Sequence, residues 1–198
     1  MQTVGNGLEA VGLYEDWLRI LEAQLATARR LGASEVEILR VRFNTSMCYT
    51  RLGRHQEALE LDRELYARSM ALKLTGDLAF RYALSLSKSL LDTRRFTEAK
   101  SLLREQYPKA RQALGAEAEV VLNLRWNYAA ALYAADGPRD DVIEAVAILE
   151  ELLTTTRRIY GTHHHFPGFM QKDLEAARSK LSFLAERNAV GVATKITS

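Results

Sequence analysis

The sequence predicts an all-α protein built from stacked helix pairs, and three observations carry that prediction. Long stretches are rich in Ala, Leu, Arg and Glu, strong helix formers, and only three prolines interrupt 198 residues. Apolar residues recur at helical spacing. A helix-turn-helix unit is also written about three times. Leu52-Gly53-Arg54-His55-Gln56-Glu57-Ala58, Thr93-Arg94-Arg95-Phe96-Thr97-Glu98-Ala99 and Gly137-Pro138-Arg139-Asp140-Asp141-Val142-Ile143-Glu144-Ala145 each lie between amphipathic stretches, with Glu-Ala pairs at intervals of 41 and 46 residues. A fixed period in this range marks a stacked helical array.

The elements follow in chain order. Leu13, Trp17, Leu21, Ala28 and Leu31 give a first helix one apolar stripe, and Gly32 ends it because glycine tolerates the left-handed conformation that closes a helix. Residues 1–34 then form the N-terminal helix of a truncated unit, either the way the array begins or a sign of a longer protein. Repeat 1 spans 35–76. Its first helix runs from about Glu35 to Arg51 with Leu39, Phe43 and Met47 at successive turns. Its second, about Gln56 to Leu74, offers Ala58, Leu61, Leu65 and Leu72 to its neighbours.

Repeat 2, residues 77–115, has helices near Leu78–Asp92 and Thr97–Leu114, with Gly115 standing where Gly76 stood. Tyr107 matches Tyr66, each eight residues after its turn alanine, and Pro108 removes a backbone donor in mid-helix, where a local kink is expected. Repeat 3, residues 116–161, pairs about Glu117–Ala135 with Asp141–Tyr160 through a longer connection. Residues 162–187 hold a capping helix from about Gly168 to Glu186 carrying Leu174, Arg178, Leu181 and Leu184. Residues 188–198 lack a stripe and are expected to be a frayed, flexible tail.

Composition narrows the class. With 47% hydrophobic and 26% charged residues the chain can bury a core. No stretch approaches the ~20 apolar residues of a membrane span, and Met1-Gln2-Thr3-Val4-Gly5-Asn6-Gly7 lacks a secretory signal's basic start and apolar run. With Cys48 the single cysteine, the expected compartment is reducing and cytoplasmic. The 27 basic residues are interspersed among 25 acidic ones, and no basic face or tail of the kind nucleic-acid binders concentrate is visible.

Asn44-Thr45-Ser46-Met47-Cys48-Tyr49-Thr50-Arg51-Leu52-Gly53-Arg54-His55-Gln56-Glu57-Ala58-Leu59 resembles the tetratricopeptide (TPR) repeat, in the longer form, roughly 42 residues, found in kinesin light chains. It matches that pattern at the Asn, a small residue, the Tyr, the Gly and the Glu-Ala-Leu. Repeat 3 keeps Ala130, Tyr133 and Gly137 in register, with Asn127 one place early. In repeat 2, Arg94 takes the glycine place and Leu90 the tyrosine place. The likeness covers about Leu13 to Glu186. It implies a right-handed superhelical α-solenoid in which first helices line a concave groove, Ala58 and Ala99 let helices approach closely, and Tyr49 and Tyr133 fill the space beside them. The coiled coil joining kinesin light chains to their motor has no counterpart here.

By the same resemblance the groove positions are Arg40, Asn44, Met47 and Arg51 in repeat 1, Arg81, Ser85 and Lys88 in repeat 2, and Asn123 and Asn127 in repeat 3. Asn grips a peptide backbone through donor and acceptor together, while Arg and Lys pair with carboxylates, so the expected partner is a protein or peptide segment with acidic side chains or a free carboxylate. The expected function is a non-enzymatic scaffold or adaptor without cofactor.

Other readings stand beside it. A helical-repeat RNA binder would need a basic groove. Alternatively, the chain is a helical segment of a larger multidomain regulator. His163-His164-His165 suits a turn capping the last helix better than a metal site, since adjacent residues rarely converge on one ion and no cysteine or carboxylate cluster lies at ligand spacing. Cys48 is expected to be a buried packing residue and not a thiol activated by His55. No Ser-His-Asp order, phosphate loop or paired-carboxylate arrangement is evident.

Overall fold

The computed structural model describes residues 2–162 and 164–196, and side chains over 12–162 and 164–187. The described residues form helices and turns without a strand. They make α1 (Gln2–Arg30), α2 (Glu35–Arg51), α3 (His55–Ala71), α4 (Asp77–Asp92), α5 (Phe96–Leu114), α6 (Glu119–Ala134), α7 (Arg139–Tyr160) and α8 (His165–Ile196). The chain divides into two compact units, residues 1–94 and 95–198, so the division falls between the two helices of the second predicted repeat.

In the first unit α1 packs on α2, α2 on α3 and α3 on α4, and α2 also touches α4. Leu39, Leu65 and Tyr82 knit these last three helices together, with Phe43 meeting the Tyr82 ring edge-on at 5.6 Å. Ala58 is buried at the start of α3, where a larger side chain would hold the helices apart. The Tyr82 hydroxyl, fully buried, has no hydrogen-bond partner among the described residues.

α1 buries a stripe displaced from the predicted one. Leu18 and Leu21 are buried beside half-buried Trp17, whereas Leu13 and Leu31 are 71% and 75% exposed. α1 has 29 residues and α2 only 17, so the N-terminal part of α1 extends past its cover, while Leu31 lies in the turn between the two helices. α2 starts on a capping box in which Ser34 Oγ accepts from the Glu37 amide at 3.3 Å and Glu37 accepts from the Ser34 amide at 2.8 Å.

The second unit repeats the plan: α5 on α6, α6 on α7, α7 on α8, with α6 also touching α8. Its core gathers Ala129, Leu132, Ala145, Leu149, Leu152, Met170, Leu174 and Ala177. α5 runs as one helix through exposed Pro108. α8 starts three residues earlier than predicted and continues to Ile196, so residues 188–196 have helical backbone where a frayed tail is expected.

Two local features follow from the repeat. At the turn after α2, Gly53 has φ of 72°, and at the matching place after α4 Arg94 adopts φ of 60°. A side chain in this left-handed region costs about 1–2 kcal/mol, and a glycine avoids that cost. The second feature is Asp62 on α3, buried at 1% exposure. It accepts from Ser85 Oγ at 2.9 Å and Ser89 Oγ at 2.6 Å, both on α4. Burial pushes its carboxyl pKa above the usual range, against the opposing pull of Ser46, Ser89 and Ser85 and the Lys88 charge.

Four outcomes are expected. Arg94→Gly raises the unfolding free energy by about 1 kcal/mol, read by chemical denaturation. Tyr82→Phe leaves stability unchanged or raises it, since it removes a hydroxyl desolvated without a partner. A carboxyl whose folded pKa is raised stabilises the protonated fold, and that contribution is lost as pH rises through the folded value. Asp62→Asn therefore flattens the decline in stability that the parent shows as pH rises above the unfolded carboxyl value of about 4, read by chemical denaturation across pH. Asp62→Ala costs about 1–3 kcal/mol, because both serines lose their acceptor.

Candidate functional site

Helices next but one in the chain touch in each unit, so α2 with α4 and α6 with α8 form one wall of each. The groove residues expected from sequence lie on these helices. On α2, Arg40, Asn44, Met47 and Arg51 sit at helical spacing on one face, and all four are exposed, Met47 by 42%. Among the described residues the side chains of Arg40, Asn44 and Arg51 make no hydrogen bond or ion pair.

Neighbouring arginines differ. Arg42 is held by Glu64, Arg54 by Glu57 and Arg68 by Glu35. The Arg42 and Arg54 guanidinium groups hold the carboxyls of Glu64 and Glu57 below the ordinary range. Arg42 and Glu64 line two clefts flanking α2, of about 510 and 430 Å³, and Glu35 and Arg68 line the larger of them.

On α4, Arg81 pairs with Asp77 one turn back, and Lys88 reaches Asp92 at 2.8 Å. Such exposed pairs within one helix are worth a few tenths of a kcal/mol, so both cations exchange readily to a partner. Ser85 is placed differently. It is half-buried with its hydroxyl committed to Asp62, because at its position α4 packs against α3.

In the second unit, Asn123 Nδ2 donates to the Glu119 carbonyl of its own helix at 2.9 Å, and Asn127 is half-buried. Between them lies Trp126, the centre of an aromatic group that the sequence reading missed. Its ring meets Phe166 edge-on at 5.5 Å and lies nearly parallel to Phe169, with centroids 6.4 Å apart. Phe169 is 49% exposed. Asp173, one turn further along α8, accepts from Trp126 Nε1 at 2.6 Å and from the Tyr133 hydroxyl at 2.9 Å. Burial and the Asp173 charge together push the Tyr133 pKa far up. Trp126 sits in the open between the two predicted asparagines, whereas Asp173 lies 47 residues on and only the fold brings it there.

His163 lies outside the described residues. His164 stacks on Tyr160 at 5.0 Å, and its Nδ1 accepts from the Phe166 amide at 3.2 Å, capping the first turn of α8. His165 lies 4.3 Å from the His164 ring and 5.9 Å from Phe169. Among the described residues no group of three His, Cys, Asp or Glu could hold a metal ion. Cys48 is fully buried against α1, its thiol directed at the Tyr14 carbonyl at 3.0 Å, and desolvation raises its pKa. It is a packing residue.

No protein-family model matches this chain, and no curated protein matches it. Among solved structures it is similar to a Podosopora anserina chain described as a kinesin light chain of nearly identical TPR-like repeats. A single-substitution form of that chain superposes with a TM-score of 0.67 at 20% identity, over 98% of this chain and 94% of the other. A second structure gives 0.65 at 20% identity, over 96% and 93%. The fold is therefore that of TPR-like repeats, an all-α stack of helix pairs. None of the described helices is long and apolar enough to cross a membrane.

Proposed function

We propose that this protein is a non-enzymatic interaction module whose first unit binds a peptide segment bearing acidic side chains or a free carboxylate. The observation that carries this reading is the α2 stripe. Arg40 and Arg51 lie about three helical turns apart on one exposed face, and among the described residues neither forms an ion pair, the Arg40 charge acting on Glu37 only at a distance, while Arg42, Arg54 and Arg68 nearby are each matched to a glutamate.

Asn44 between them supplies a donor and an acceptor to a peptide backbone, and Met47 offers an adaptable apolar contact. Arg81 and Lys88 on α4 add cations held only by exposed pairs. Ser85 is left out of the surface, and Asn123 and Asn127 belong to a wall of different, aromatic character. A guanidinium pairs with a carboxylate through two parallel hydrogen bonds, which gives direction as well as charge.

Selection of random peptides with free C-termini against the purified chain is expected to enrich Asp and Glu or a terminal carboxylate. For a selected peptide, the Arg40→Ala, Arg51→Ala double variant binds at least tenfold more weakly, about 1.4 kcal/mol, with unchanged helical circular dichroism and unfolding midpoint. Peptides without acidic enrichment, or full affinity in the folded double variant, would overturn the assignment.

A further inference from the structure

The wall formed by α6 and α8 has the opposite chemistry. Asp173 accepts from two neutral donors, the Trp126 indole and the Tyr133 hydroxyl, each occupying one carboxylate oxygen. A carboxylate offers about four acceptor positions, so about two remain. Among the described residues no cation pairs with it. Elsewhere in the unit, Glu117, Glu150, Glu151 and Asp141 all have a basic partner. Asp173 is half-buried and lies one turn from exposed Phe169.

One turn back on the same helix, Phe169 exposes half its surface and lies nearly parallel to the Trp126 ring. Ring faces attract cations, and Lys172 already lies 6.0 Å over the Phe169 ring, close to the outer limit of such a contact. A negative charge and aromatic faces thus meet at one place on the surface. A guanidinium fits both, because its plane stacks on a ring while its edge pairs with a carboxylate. An ammonium, a compact and strongly hydrated charge, gains less from the rings.

We propose that the Trp126–Phe169–Asp173 patch binds an arginine side chain of a partner peptide. This does not rest on the carboxylate reading of the α2 stripe, and the two fail separately.

The test follows the indole N–H signal of Trp126 in ¹H–¹⁵N spectra of the full chain, assigned by its loss in Trp126→Phe. The probe is an acetylated, amidated Gly-Arg-Gly peptide, and its control carries citrulline, the neutral isostere of arginine. The arginine peptide is expected to move the signal saturably and the citrulline peptide to leave it in place. Asp173→Asn weakens the arginine response at least fivefold, and Phe169→Ala, which removes an exposed ring without touching the core, weakens it at least twofold. Arg40→Ala, Arg51→Ala leaves it unchanged. Absence of a saturable shift, an equal shift from the citrulline peptide, or an undiminished response in folded Phe169→Ala would overturn the proposal.

Discussion

Burial of one apolar stripe per helix against its neighbours in the chain is the constraint on which the structure depends. No helix here can hide its stripe alone, and each unit solves the problem by laying the helix from one pair against the next. The small residues Ala58, Ala99 and Ala145, buried at the start of α3, α5 and α7, keep the helices close enough for the leucines behind them to interlock. Towards the N-terminal side of α1, at Leu13, and in the turn at Leu31, apolar side chains stand in water.

Polar groups caught in this packing take two forms. Asp62 is sealed among serines from adjoining helices, so its hydrogen bonds are satisfied but its charge is not welcome, and its proton affinity rises. Asp173, half-buried, is held by an indole and a phenol, and among the described residues no cation pairs with it. The same contrast separates the arginines. Arg42, Arg54 and Arg68 each face a glutamate, whereas among the described residues the exposed side chains of Arg40 and Arg51 on the α2 stripe form no ion pair.

Helix positions were legible because they depend on local signals. Gly32, Gly53, Gly76, Gly115 and Gly161 all adopt positive φ at helix ends, and the Ser34–Glu37 box marks the start of α2. The displaced glycine of the repeat was legible too, since Arg94 stands in its place with the same backbone conformation. Which face a residue presents was harder to read. Ser85 shares a helical stripe with Arg81 and Lys88, yet a buried carboxylate on α3 claims its hydroxyl. The Asp173 site joins α6 to α8 across a whole intervening helix, and no periodicity within either segment announces it.

The wiring of the helices has a consequence for how this chain has grown. Because packing within each unit joins helices adjacent or next but one in the chain, removing or doubling one pair would disturb only the interfaces at the cut. Selection could then adjust the number of pairs and the surface of each unit separately, so that exposed arginines on α2 and an aromatic cluster around Trp126 can occur in one chain without either constraining the other.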